Sequence, residues 1–237
     1  MKTILITGAS SGIGMATAEK FLAEGWKVGM IARRAELLEE FAAKNENAIA
    51  LPADVTDPNA MKAAFAKFLA EAGRLDVLFN NAGMFGQPGT IDEISFEGWQ
   101  EVVNVNLHGM FIAAQLAFAQ MRAQDPQGGR IINNGSISAY VPREGSICYT
   151  TTKHAITGMT RTLSLDGRPF DIACGQIDIG NAETPMVADL KKREPHVQTM
   201  DVSNAVDSVL HMANMPLNAN VQFMTVMATK MPYIGRG

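Results

Sequence analysis

Seven short runs of apolar, β-favouring residues, separated by longer stretches of helical periodicity, constrain this chain more than any other feature. The runs are Thr3 to Thr7, Lys27 to Ala32, Ala48 to Pro52, Val77 to Asn80, Arg130 to Asn133, Asp171 to Gln176 and Val221 to Met227. Each is nearly continuous in apolar residues, as a strand covered on both faces must be, and the segments between most of them can carry a crossover helix. Such alternation builds βαβ units, so an α/β fold is expected: a doubly wound parallel sheet with helices on both faces. Two helix starts carry recognisable caps. Asp57 followed by Pro58 opens a helix running to about Gly73, and Ser95 opens a longer one. No fixed-period repeat, linker-like run or block of like charge divides the 237 residues, so residues 1–237 read as a single domain.

Composition excludes several classes of function. Twenty Lys and Arg against 24 Asp and Glu give a net charge of -4, without the basic footprint of a nucleic-acid binder. Cys148 and Cys174 have neither the number nor the spacing of a disulfide framework or a CxxC site; they read as small buried hydrophobes in a reducing, cytoplasmic setting. The apolar run at Met1 to Thr7 is too short for a signal peptide and reads as a first strand. Residues Val102 to Met121 contain no Asp, Glu, Lys or Arg, but Asn104, Asn106, His108, Gln115 and Gln120 interrupt the stretch. Uncompensated amides are costly in hydrocarbon, so a helix buried on nearly all sides is expected rather than a membrane span. His108, His154, His196 and His211 have no paired metal spacing, and no metal is expected. Lys191-Lys192-Arg193 reads as a solvated helix face, with contact to an anionic substrate as the rival reading.

Chemistry enters directly after the first run, at Thr7-Gly8-Ala9-Ser10-Ser11-Gly12-Ile13-Gly14. A glycine-rich turn opening a helix aims backbone amides at whatever sits there, and a dinucleotide pyrophosphate fits. Glycine is needed because a side chain at the turn would block close approach of phosphate, or of helix to strand. Asp54-Val55 follows the third run and Asn80-Asn81-Ala82-Gly83 ends the fourth, both at carboxyl ends of strands, where an open α/β sheet binds ligands. Tyr149-x-x-x-Lys153 places two polar groups on one helix face, about 6 Å apart along the axis.

In order and spacing these motifs resemble the short-chain dehydrogenase/reductase (SDR) family over nearly the whole chain. The resemblance implies a Rossmann-like sheet of about seven strands in the order 3-2-1-4-5-6-7. It further implies an oxidoreductase that interconverts a ketone or aldehyde and an alcohol. Tyr149 would be the general acid or base, and Ser136, 13 residues earlier, would hydrogen-bond the substrate oxygen. Ser138 is the nearby competitor. Lys153 would support Tyr149 and hold the ribose, and Asn106 would order a water in the proton relay. Gly8, Ser10, Ser11, Gly12, Ile13, Gly14, Asp54, Val55, Asn81, Ala82, Gly83, Tyr149 and Lys153 would contact the cofactor.

Cofactor choice turns on Met30-Ile31-Ala32-Arg33-Arg34, where an NAD enzyme usually carries a carboxylate for the ribose hydroxyls. Here Ala32 stands there and Arg33 and Arg34 follow, which suits a 2′-phosphate and predicts NADP(H) rather than NAD. Glu36 to Glu40 nearby, and Ser11 where some NADP-preferring relatives have a basic residue, run against that choice. A second departure is Ile179, in place of the family's proline before Gly180; Gly180, Thr184 and the Ile179 backbone would still reach the cofactor. Met84, Phe85, Tyr140, Val141, Met186 and Val187 flank the inferred site, as packing or as an adaptable apolar pocket. The alternatives are an NAD(H) enzyme with the same mechanism and a catalytically silent dinucleotide sensor. The long charge-free helix and the helix carrying Tyr149 resemble the pair through which family members form homodimers or homotetramers.

Overall fold

The computed structural model describes residues 1–193 and 196–234, without the side chains of Met186, Asp189, Leu190 and Arg193. Seven strands form one sheet: β1 (Thr3–Thr7), β2 (Lys27–Ala32), β3 (Ala48–Pro52), β4 (Val77–Asn80), β5 (Gly129–Asn134), β6 (Ile172–Gly180) and β7 (Phe223–Met227). Their order is β3-β2-β1-β4-β5-β6-β7 and every neighbouring pair is parallel, as the alternation and the resemblance imply. The order reverses at β1 and β4, which leaves a crevice at the carboxyl ends of these strands.

Among the described residues eight α-helices cover the sheet: α1 (Gly12–Ala23), α2 (Ala35–Ala43), α3 (Pro58–Ala72), α4 (Phe96–Val103), α5 (Gly109–Ala123), α6 (Ile147–Asp166), α7 (Pro185–Arg193) and α8 (Val202–Asn214). Alternate strand residues point to opposite faces. Ile4, Ile6, Met30 and Phe79 pack with Phe21 of α1, Leu38 of α2 and Val209 and Met212 of α8. Leu5, Ile31 and Leu78 pack on the other side with Phe65 and Phe68 of α3 and Ala113, Ala117 and Met121 of α5. The Asp57 carboxylate accepts from the amides of Asn59 and Ala60 at 2.8 and 3.1 Å and so starts α3. Ser95 Oγ accepts from Gly98 N at 3.1 Å and starts α4.

Two sequence expectations are corrected. Strand β6 continues four residues past Gln176, because Gln176 and Asp178, which break the apolar pattern, are fully buried and hydrogen-bonded inside. The charge-free stretch is not buried on nearly all sides. A single π turn at Asn104–His108 joins α4 and α5 into one helix over Phe96–Ala123, and Asn104, His108, Phe111, Gln115 and Ala119 face outward along one line. Phe111 is 53% exposed. Lack of charge alone does not separate a core face from a neutral outer stripe, whereas spacings of three and four residues do.

Candidate active site

A cleft of about 570 Å³ runs along the carboxyl edge of the sheet. At one end the turn after β1 reverses through Gly8 at φ 69° and Gly12 at φ 54°, backbone that side chains resist. Gly14 lies behind the cleft wall: a Cβ there would strike the Gly8 carbonyl, so its absence lets α1 close onto β1. Ser11 begins α1 without a side-chain cap, and Ser10, Ser11, Gly12 and Ile13 line the cleft, so first-turn amide donors remain for an anion. Thr7 Oγ1 accepts from the amides of Asn81 and Ala82 at 2.9 and 3.0 Å, and Asn81 Nδ2 donates to the Thr7 carbonyl at 3.0 Å. Asn81 Oδ1 accepts from Asn134 Nδ2 at 2.8 Å, and the Asn134 carbonyl accepts from Lys153 Nζ at 2.6 Å. Hydrogen bonds thus join the glycine turn to the lysine across three strand ends.

Ala32, Arg33, Arg34, Asp54 and Val55 line the far end, beyond the turn. Arg34 donates from Nε and Nη2 to Ser10 Oγ at 3.1 and 2.8 Å, and from Nη2 to the Ser10 carbonyl at 3.1 Å, which brings its guanidinium against the glycine turn. Asp54 Oδ1 accepts from Thr56 N and Oγ1 at 2.9 and 2.8 Å. Among the described lining residues, Arg33, Arg34, Arg143 and Lys153 face a single carboxylate, Asp54, so the cleft is cationic in a chain of net charge -4.

At the other end α6 presents Tyr149 and, one turn on, Lys153. Lys153 is buried by its bond to the Asn134 carbonyl, with Nζ 5.4 Å from the centre of the Tyr149 ring. Phe85 stacks on the same Tyr149 ring, with the ring centres 5.0 Å apart. Ser136 stands at the end of β5, where its Oγ accepts from Ser138 N at 3.1 Å and its amide donates to Asp178 Oδ1 at 2.9 Å. Ser136, Ser138, Tyr149 and Lys153 all line the cleft. Asn106 does not; it is buried in the π turn, where its amide group accepts from Met84 N at 2.8 Å and donates to the Met84 carbonyl at 2.9 Å and to Thr152 Oγ1 at 3.2 Å. Asn81, Ala82, Gly83, Ile179 and Thr184 line the cleft, while Gly180 is buried with its α-carbon against Met227. Of the flanking residues, Met84, Phe85 and Val187 line the cleft and Tyr140 and Val141 do not; the side chains of Met186 and Arg193 fall outside the described residues.

Three contributors escaped the sequence reading. Asn134 supplies the carbonyl that holds Lys153, a main-chain role with no side-chain signature. Arg143 Nη2 donates to Asn181 Oδ1 at 2.9 Å, and both residues line the cleft. Asp178 lies beneath Ser136, and burial pushes its carboxyl pKa up against the opposing pull of its hydrogen bonds and Lys153. A polar residue two positions from Gln176 within an otherwise apolar run was the available signal. Partial burial and the nearby Asp178 push the Tyr140 phenol up to about 12.

The chain just before α7 meets the chain around Gln198 and Met200. Asn181, at φ 51°, accepts at its carbonyl from Met200 N at 3.0 Å and donates from Nδ2 to the Gln198 carbonyl at 3.1 Å; Glu183 N donates to the Met200 carbonyl at 2.9 Å. Lys191 pairs with Glu183 at 2.7 Å. Among the described residues no three His, Cys, Asp or Glu side chains gather to hold a metal.

Comparison with known proteins agrees with this geometry. The model of the family described as short chain dehydrogenase matches residues 2–195. Cyclohexanol dehydrogenase of Acinetobacter sp. (strain SE19) is 32% identical over 81% of this chain and 78% of its own. Serine 3-dehydrogenase of Agrobacterium fabrum is 29% identical over 98% of this chain and 96% of its own. Among solved structures, the closed form of serine dehydrogenase complexed with NADP+ superposes with a TM-score of 0.92 over 99% of this chain and 98% of that one; at 23% identity this speaks to the fold. Descent and architecture therefore point the same way, and the chain belongs to the short-chain dehydrogenase family of oxidoreductases.

Proposed function

We propose that the protein is an NADP(H)-dependent oxidoreductase that interconverts a ketone or aldehyde and an alcohol. The observation that carries this reading is the meeting of Ser136, Tyr149 and Lys153 in one cleft with an uncapped glycine turn and the Arg33-Arg34 pair. The cradle fits a dinucleotide. Gly8, Gly12 and the α1 amides would hold the pyrophosphate, Ser10, Arg33 and Arg34 the 2′-phosphate, and Asp54 and Val55 the adenine side. The cofactor, when bound, supplies or accepts the hydride.

In the reductive direction Tyr149 donates its phenolic proton to the carbonyl oxygen as that oxygen becomes an alcohol; oxidation reverses the transfer. Because Ser136 Oγ already accepts from the Ser138 amide, its own O–H is left to donate to the same substrate oxygen. Lys153, fixed by the Asn134 carbonyl, keeps a cation beside the Tyr149 ring. The Asn106 side chain is committed to Met84 and Thr152, so any water it orders for a proton relay is held by its main chain. Met84, Phe85 and Val187 give the substrate end an apolar wall that suits a hydrocarbon-rich carbonyl or alcohol.

The outward stripe of Asn104, His108, Phe111, Gln115 and Ala119 adjoins a second on α6, formed by Ile147, Thr151, His154, Gly158, Thr162 and Leu165. We read these two neutral stripes as the face buried in a homodimer or homotetramer. A cytoplasmic setting fits the two free, buried thiols of Cys148 and Cys174.

The test follows NADPH and NADH oxidation across a carbonyl panel. Tyr149→Phe should lose about 10²–10⁴-fold in rate. Unchanged activity in that variant overturns the mechanism. A clear NADH preference unaffected by Arg33→Ala overturns the cofactor assignment. Tight NADPH binding with no turnover of any carbonyl identifies a silent sensor instead.

A further inference from the structure

A strand covered on both faces is normally apolar, yet Gln176 and Asp178 stand two residues apart on the α6 side of β6, both 0% exposed. Gln176 Nε2 donates to Asp178 Oδ1 at 2.7 Å and to Thr157 Oγ1 at 3.0 Å, and its Oε1 accepts from Thr160 at 3.2 Å. Asp178 Oδ1 also accepts the Ser136 amide at 2.9 Å. Residue 135 must be glycine for this contact to form: a Cβ there would overlap Asp178 Oδ1 and lie 2.6 Å from Gln176 Nε2. The Gly135–Ser136 turn is therefore pressed directly onto the carboxyl, and Gly135 N adds a 2.8 Å bond to the Ile177 carbonyl. Asp178 Oδ2 has no well-formed partner, although the Tyr140 hydroxyl interacts with the same carboxyl. A carboxyl kept dry and only half satisfied is costly for a purely packing role.

We propose that Asp178 is a positioning residue for Ser136: its carboxyl grips the Ser136 amide and holds the hydroxyl where it donates to the substrate oxygen. The inference rests on the proposed oxidoreductase reading and deepens it. Grip requires an acceptor oxygen in place, not a negative charge, so an asparagine can substitute while an alanine cannot. The groups facing Asp178 are Gln176 on its own strand, Ser136 and Tyr140 after β5, and Lys153 from α6.

Two readouts on the full chain separate this inference from the reading beneath it. Amide hydrogen exchange over residues 132–138 needs no turnover. Asp178→Ala should speed exchange at Ser136 at least tenfold, and Asp178→Asn should keep it near the parent value. Steady-state kinetics on a carbonyl that the parent reduces should show kcat lowered about 10–100-fold in Asp178→Ala, NADPH affinity within twofold, and Asp178→Asn restored to within about threefold. Should Asp178→Ala fail to fold, Gly135→Ala takes its place, since it pushes the turn off the carboxyl and should produce the same kcat loss. Unchanged exchange in Asp178→Ala, or an Asp178→Asn variant as impaired as the alanine, overturns the inference. Altered exchange in a protein whose parent reduces no carbonyl overturns the oxidoreductase reading and leaves the grip on Ser136 standing.

Discussion

Arg34→Ala isolates the feature on which the proposed preference for NADP(H) depends. The guanidinium donates three times to Ser10, at 2.8, 3.1 and 3.1 Å, so it is held at the glycine turn before any ligand arrives. It is exposed to solvent, which puts the local dielectric near that of water. At about 4 Å a unit charge pair is then worth ~1 kcal/mol, and a 2′-phosphate of charge about -2 doubles this to ~2 kcal/mol. Salt at about 0.15 M, with a Debye length of ~8 Å, trims the figure to roughly 1.2 kcal/mol, or about an eightfold change in affinity. Fluorescence titration of NADPH and NADH into the parent and the variant, at low and high salt, reads this directly. NADPH affinity should weaken about eightfold near 0.15 M salt and about thirtyfold at low salt, NADH affinity should stay within twofold, and the salt dependence for NADPH should flatten in the variant. An equal loss for both nucleotides would refute the reasoning, because it would mean that Arg34 acts only by bracing Ser10 and the turn.

Other outcomes follow from buried or outward groups. Arg130, 1% exposed, donates to the carbonyls of Met215, Pro216 and Ala219 and to Asn220 Oδ1; Arg130→Ala leaves these acceptors unpaired and should cost about 3 kcal/mol, a melting-point drop of roughly 6–12 °C by calorimetry. Burial raises the Asp178 pKa, so the folded chain holds a proton that the unfolded chain releases; the stabilisation is complete below the ordinary carboxylate pKa and is lost as pH climbs through the folded value. Asp178→Asn escapes that loss, and its melting point should exceed the parent's near pH 8, with the gap closing as pH falls toward about 4. Phe111→Arg, placed on the outward stripe of α5, should shift sedimentation toward the monomer without unfolding the chain, and an unchanged assembly would dismiss that stripe as the interface.

The sheet was legible because its strands differ from their surroundings in the simplest physical variable, apolar content, and β1 to β4 begin and end where the pattern does. Legibility failed at β6, where Gln176 and Asp178 imitate a strand end; a polar residue satisfied by neighbours distant in sequence looks, in one dimension, like a solvated one. At the site, side chains with fixed spacing were readable: Tyr149, Lys153 and Ser136 reach the same cleft from α6 and β5. Which way the Asn106 amide points depends on the π turn, and nothing in Asn104-Val105-Asn106 announces a five-residue hydrogen-bond period. The Asn134 carbonyl was invisible for a plainer reason: every residue has one.

The meeting of Asn181 with Met200 bears on how such a protein diversifies. Asn181 and Met200 meet through hydrogen bonds whatever the excursion between them contains, so the sheet sees the same two anchor points for a long insert or a short one. Closure entropy grows only with the logarithm of length, and doubling the excursion costs roughly 0.6 kcal/mol. In the proposed oxidoreductase, substrate preference is thereby uncoupled from foldability: what lies between the two anchors can be exchanged, while the strand rim that carries Thr7, Asn81 and Asn134 stays in register.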